Sequence, residues 1–154
     1  MGLINKIDND CKRENGNKII VLKDKKGGKS TFVLENLTKQ LITEIDIENC
    51  VYKSKLLNLR CDFGIETNET IYFVELKGSD FHQGFKQLYE TIIDMQHCFK
   101  GKQIKARLVL STISKPEILK RDEYYRRLAK KISFIPKQND HLIFNSNTIK
   151  EQYI

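Results

Sequence analysis

Apolar and polar positions alternate in short bursts along most of this chain and shift to a helical period in two places. Residues 18–22 (KIIVL) and 31–34 (TFVL) read as strands, joined by 23–30 (KDKKGGKS), where Gly27 and Gly28 supply a turn with a basic tip. A second hairpin is expected to turn near 36–39 into a strand over 40–47, where Leu41, Thr43, Ile45 and Ile47 alternate with Ile42, Glu44, Asp46 and Glu48. That alternation makes one face acidic. The clearest strands are 61–66 and 71–77, on either side of the polar turn 67–70. From 81 to 99 the period is helical, with Phe81, Phe85, Leu88, Tyr89, Ile92 and Met95 on one stripe. Residues 106–110 (ARLVL) read as a buried strand. Pro116 suits the first turn of a helix running to about Ile132, held by Leu119, Tyr124, Leu128 and Ile132, and 141–144 (HLIF) adds a last strand. The first 17 residues show no sustained period and are expected to form a short helix or an irregular arm.

This order of elements predicts an α/β fold with a mixed central β-sheet flanked by helices. A length of 154 residues fits a single domain. Its core is expected over 61–111, with N-terminal strands and hairpins over 18–51 and a basic helix and strand over 116–146.

Charge adds a direction to that outline. Lys and Arg number 27 against 20 Asp and Glu, a net +7, which favours a polyanionic partner. No apolar run approaches the roughly 20 residues needed to cross a bilayer, so no membrane partner is expected. The polar N-terminus lacks a secretory segment, and Lys6 breaks the myristoylation pattern, which makes the cytoplasm the expected location. Cys11, Cys50, Cys61 and Cys98 are scattered without a CxxC spacing and read as reduced, mostly buried thiols, with no zinc site.

The candidate chemistry lies in the hairpin 61–77. Opposed residues of a symmetric antiparallel hairpin have a constant index sum, and a turn centred between Asn68 and Glu69 places Asp62 opposite Glu75. Their Cβ atoms would stand about 4.5–5.5 Å apart, and Lys77 points to the same side. Phe63, Ile65, Tyr72, Val74 and Leu76 take the opposite face. Like charges facing each other destabilise a sheet unless a cation sits between them. Mg²⁺ takes oxygen ligands and usually keeps waters, one of which can serve as nucleophile. Asp62 and Glu75 are therefore candidate metal ligands, with the Leu76 carbonyl as a third. Lys77 is placed to orient or deprotonate the attacking water and to stabilise the charge growing in the transition state.

Asp62, then Glu75-Leu76-Lys77 at the end of the next strand, then a helix and the strand ARLVL, resemble the PD-(D/E)xK nuclease superfamily, whose core is a hairpin carrying D…ExK followed by a helix and a strand. Gln87 and Tyr89 look like the glutamine and tyrosine that RecB-type branches place beside the metal, with Gln87 the better match. The resemblance spans 61–111. It implies a restriction-endonuclease-like core and Mg²⁺- or Mn²⁺-dependent cleavage of DNA or, less often, RNA, with Gln87 supporting the catalytic set. A second copy of the chain or a partner protein commonly accompanies such a domain, because one active site cuts one strand. Two departures stand out. Cys61 replaces the motif's proline, and the acid usually supplied by a helix before the hairpin has only unranked candidates in Glu35, Glu44, Asp46 and Glu48.

Competing readings are plainer. The hairpin charges could form a solvated face without metal. GGKS at 27–30 is not a phosphate loop, because that pattern needs glycine where Lys23 stands. His97 reads as a helix-end residue, and His82 sits near enough to Lys77 and Gly78 to touch a phosphate. The run 115–131, which includes Lys120, Arg121, Arg126, Arg127, Lys130 and Lys131, is either a phosphate-contacting face or a solvated one. Lys29, His82, Lys86, Arg121, Arg126 and Arg127 are the candidate nucleic-acid contacts. The rival to an enzyme is a non-catalytic nucleic-acid-binding or regulatory module on the same fold, and a weaker one is an interaction module docking its basic face on an acidic protein.

Overall fold

The computed structural model describes residues 6–24, 27–52, 60–113, 115–132 and 141–153. A 3₁₀ turn at Asn9–Cys11 leads into β1 (Lys12–Asn15), β2 (Ile19–Lys23), β3 (Thr31–Asn36) and β4 (Ile42–Asp46). A helical turn, Ile47–Val51, precedes the hairpin of β5 (Phe63–Glu66) and β6 (Thr70–Lys77). Then come α1 (Phe81–Met95), a 3₁₀ turn at Gln96–Phe99, β7 (Gln103–Leu110), α2 (Pro116–Leu119), α3 (Glu123–Ile132), β8 (Leu142–Ser146) and β9 (Thr148–Tyr153).

Among the described residues, a six-stranded mixed sheet has the order β1-β4-β5-β6-β7-β8, and a three-stranded sheet has the order β2-β3-β9. Antiparallel pairing runs from β1 to β6, whereas β6, β7 and β8 are parallel. The central strand β6 is buried along all but its last residue, because each face has its own cover. Ile71 and Phe73 pack under α1 and α3, with Phe85, Leu88, Ile92, Leu128 and Ile132. Tyr72, Val74 and Leu76 pack on Phe32, Leu34 and Ile149 of the small sheet. This explains the continuous apolar run IYFV over 71–74, which a half-exposed strand would not carry. Glu75 and Lys77 alternate with Phe73 and so share the helix side.

Helix α1 starts where the Asp80 carboxylate accepts from the Gln83 amide at 3.1 Å. Gly84 lets it lie close on β7, since an added Cβ would come within 2.6 Å of Leu108. Arg107, fully buried on β7, forms a two-pronged ion pair with Glu151 on β9 and so ties the two sheets together.

Several expectations are corrected. The second hairpin does not form: the turn after Asn36 exists, with Lys39 at φ 53, but β3 and β4 belong to different sheets. Buried Asn36 fixes that crossing by donating to the Gln40 and Asn17 carbonyls and accepting from the Gln40 amide. The helix expected from Pro116 to Ile132 is two helices. Asp122 caps α3 by accepting from the Tyr124 and Tyr125 amides, and an aspartate so engaged starts a helix instead of continuing one. Cys11 and Cys50 are not free thiols. Pairing of β1 with β4 brings them together, and they form a disulfide with Cα atoms 5.5 Å apart. Cys61 is a buried thiol, as expected of it, and Cys98 is a half-buried thiol.

Strands β1 and β9 were not expected from the sequence. Lys25 and Lys26 of the basic tip and residues 1–5 of the N-terminal arm lie outside the described residues. Among the described residues no helix is long and apolar enough to cross a membrane.

Candidate active site

The β5–β6 register pairs Phe63 with Val74 and Gly64 with Phe73, the pairing expected from the turn, and it carries Asp62 to the level of Glu75. The two carboxylates are held crosswise. The Asp62 amide donates to Glu75 Oε1 at 3.1 Å, and the Leu76 amide donates to Asp62 Oδ2 at 2.8 Å. Each acid thus commits one oxygen to the opposed strand. Glu75 is 2% exposed, and its carboxyl is pushed well above its ordinary range by burial first and by the Asp62 charge next, with Lys77 opposing. The Asp62 carboxyl is pushed up to about 6, mainly by burial.

These residues open on a cavity of about 400 Å³ walled by Asp24, Glu48, Asn49, Asp62, Glu75, Leu76, Lys77 and Gly78. Among the upstream acids, Glu48 reaches this cavity. The turn carrying it docks on the hairpin, with the Ile47 and Glu48 amides both donating to the Asp62 carbonyl, at 3.1 and 3.4 Å. The other candidates are engaged elsewhere. Glu35 faces Lys150 at 3.9 Å, Glu44 takes Arg13 and Asn15, and Asp46 accepts from the Asn49 amide. Asp24 is a wall residue that sequence reasoning missed. Only the docking of the β2–β3 tip brings it there, anchored by Ser30 Oγ donating to the Lys77 carbonyl at 2.8 Å.

Helix α1 supplies the other half of the site. Gln87 is buried, accepts from Lys77 Nζ at 2.9 Å through Oε1, and donates through Nε2 to the Arg60 carbonyl at 3.2 Å. One turn on, Thr91 Oγ1 accepts from the Cys61 amide at 2.9 Å and donates to the Gln87 carbonyl at 2.6 Å. Arg60 is locked by Asp94, which also accepts from the Tyr52 hydroxyl. Burial, followed by the Asp94 charge, pushes the Tyr52 hydroxyl above its ordinary range. The segment entering the hairpin is therefore gripped by three successive turns of α1.

The structure brings Asp62, Glu75, Leu76 and Lys77 into one cavity, with Gln87 behind Lys77. Lys29 lines an adjoining cavity that shares Asp24, Lys77 and Gly78 with the first. The remaining candidate contacts lie off these walls. His82 binds Asp122 at 2.5 Å and meets the Tyr124 ring edge-on, with centroids 5.4 Å apart. Lys86 and Arg127 lie over the same ring at 5.9 and 5.2 Å, and Arg127 also pairs with Glu123. Arg121 and Arg126 are exposed. Tyr89 packs on Tyr124 and lines neither cavity.

Among the described residues, no three Asp, Glu, His or Cys side chains stand in a group that could by itself hold an ion. Asp62 and Glu75, each with a second oxygen left by the cross-strand bonds, fit the sparser mode in which Mg²⁺ takes one or two carboxylates and completes its shell with water and substrate phosphate. Comparison with protein-family models, curated proteins and solved structures finds no match for this chain.

Proposed function

We propose that the protein is a metal-dependent nuclease of the PD-(D/E)xK type, built on a restriction-endonuclease-like core, that hydrolyses phosphodiester bonds in nucleic acid, DNA in preference to RNA. The observation that carries this reading is the opposition of Asp62 and Glu75 in a cavity shared with Lys77. A buried and a partly buried carboxylate with raised proton affinity, next to Glu48 and Asp24, make a site that demands positive charge.

Asp62, Glu75 and the Leu76 carbonyl would hold Mg²⁺ or Mn²⁺, which when bound supplies an activated water and neutralises phosphate charge. The chain's own groups do the rest. Gln87 fixes the Lys77 ammonium, and Lys77 orients the attacking water and stabilises the negative charge that develops on the phosphoryl oxygens. Glu48 and Asn49 line the same cavity. Scission of labelled DNA in Mn²⁺ that stops in chelator tests the reading.

The alternative is a non-catalytic nucleic-acid-binding or regulatory module on the same fold. That module would hold DNA equally well in chelator and cut nothing.

A further inference from the structure

Lys77 and Gly78 form a ridge between two cavities of opposite character. On one side stand the acids. On the other, a space of about 530 Å³ is walled by Gly27, Gly28, Lys29, Lys77, Gly78, Ser111, Thr112 and Asn147, with Asp24 on the shared wall. We propose that this second cavity binds a phosphate group of the nucleic-acid strand, next to the phosphate that would be cut.

Its walls have the chemistry for an anion: the Lys29 ammonium, the Ser111 and Thr112 hydroxyls and the Asn147 side-chain amide, while the Lys77 ammonium is held on Gln87 and the Asp24 carboxylate lies against Gly28. The walls come from elements fixed to one another. Ser111 follows β7, and its amide donates to the Lys77 and Gly78 carbonyls at 3.1 and 2.8 Å. Asn147 sits between β8 and β9 in the left-handed region, φ 64, where its amide donates to the Leu110 carbonyl and its carbonyl accepts from Thr31. Asparagine is among the non-glycine residues that take this conformation most readily. The acidic cavity repels a phosphate, whereas the neighbouring one attracts it, so a strand crossing the ridge has a fixed seat beside the reacting group.

The identity of the phosphate's carrier rests on the nuclease reading, and the test separates the two. Binding of labelled single-stranded DNA, with and without a 5′-phosphate, is measured in chelator for the wild type, Lys29→Ala and Asn147→Gly. The glycine keeps the left-handed backbone and removes the amide. Both variants are expected to bind about five- to tenfold more weakly at low salt, Lys29→Ala with a salt slope smaller by about one, and inorganic phosphate is expected to compete with DNA for the wild type alone. Tighter binding of the 5′-phosphorylated strand assigns the seat to a strand end; equal binding assigns it to an internal phosphate. Wild-type affinity and slope in both variants overturn the site, even where the wild type cuts DNA. Weakened binding in both, from a wild type that cuts nothing, keeps the site and sinks the nuclease reading.

Discussion

Asp62 and Glu75 are hydrogen-bonded to each other's strand: the Asp62 amide donates to Glu75 Oε1 at 3.1 Å, and the Asp62 carboxylate accepts from Leu76, the residue after Glu75. The arrangement fixes two acids face to face without neutralising either. Its consequences reach pH, metal and stability together.

Burial pushes the Asp62 carboxyl up to about 6, from an unfolded value near 3.9. A raised acid stabilises the fold below its unfolded value, and that contribution is lost as pH rises through about 6. The metal-free protein is therefore expected to lose stability between pH 4 and pH 7, by on the order of 3 kcal/mol from Asp62. Mn²⁺ should restore it at pH 7.5 and have little effect at pH 5, where it competes with protons. Melting temperatures across pH, with Mn²⁺ and with chelator, check this. A flat profile in the metal-free protein would contradict it.

Gln87 links Lys77 to the Arg60 carbonyl. Gln87→Ala should lower kcat about 10- to 100-fold by releasing Lys77, the size of effect usual for residues that orient a metal site's reactive groups. Mn²⁺ affinity should hold, since Asp62 and Glu75 keep their cross-strand bonds. Calorimetric titration beside the rate assay separates these effects.

Cys50 follows Glu48 by two residues, and its bond to Cys11 ties that turn to the start of β1. Opening the bond with a dithiol should cost about 4 kcal/mol, as expected for a closed loop of this length, and weaken Mn²⁺ binding as Glu48 loses its placement. The Cys50→Ser variant should reproduce both effects and be indifferent to the dithiol. Disulfides of this kind persist mainly in oxidising compartments, so the test also bears on where the protein can work.

Breaking the Arg107–Glu151 pair should cost more than changing any exposed charge. Arg107→Leu strands Glu151 between the sheets, at about 3–5 kcal/mol in urea unfolding. Replacing both residues by leucine should recover most of that loss.

Much of the hairpin was legible because its information is local. The polar turn 67–70 set the register, and the alternation of β6 set the faces, so Asp62, Glu75 and Lys77 could be aligned before any fold was known. Strand β1 could not be read, since KREN has no apolar residue and becomes a strand only by pairing with β4 at the sheet edge. In β9, TIKEQY carries one buried position, Ile149, and it is held by pairing with β3 and by the ion pair of Glu151 with Arg107. The site's second wall was hidden for the same reason. Glu48 and Asp24 reach the cavity through a helical turn docked on the Asp62 carbonyl and a hairpin tip docked on the Lys77 carbonyl, and neither contact has a signature along the chain. The grouping of His82, Lys86 and Arg127 around Tyr124 was equally hidden, since it depends on α1 and α3 lying side by side.

The most direct measurement is cleavage of single-stranded, double-stranded and branched DNA, and of RNA, by the wild type, Glu75→Ala and Lys77→Ala, in Mn²⁺ and in chelator. The account expects metal-dependent cutting of DNA by the wild type alone, with both variants reduced to background while retaining DNA binding. No cutting of any substrate by a folded, DNA-binding wild type, or equal cutting by the variants, would contradict it.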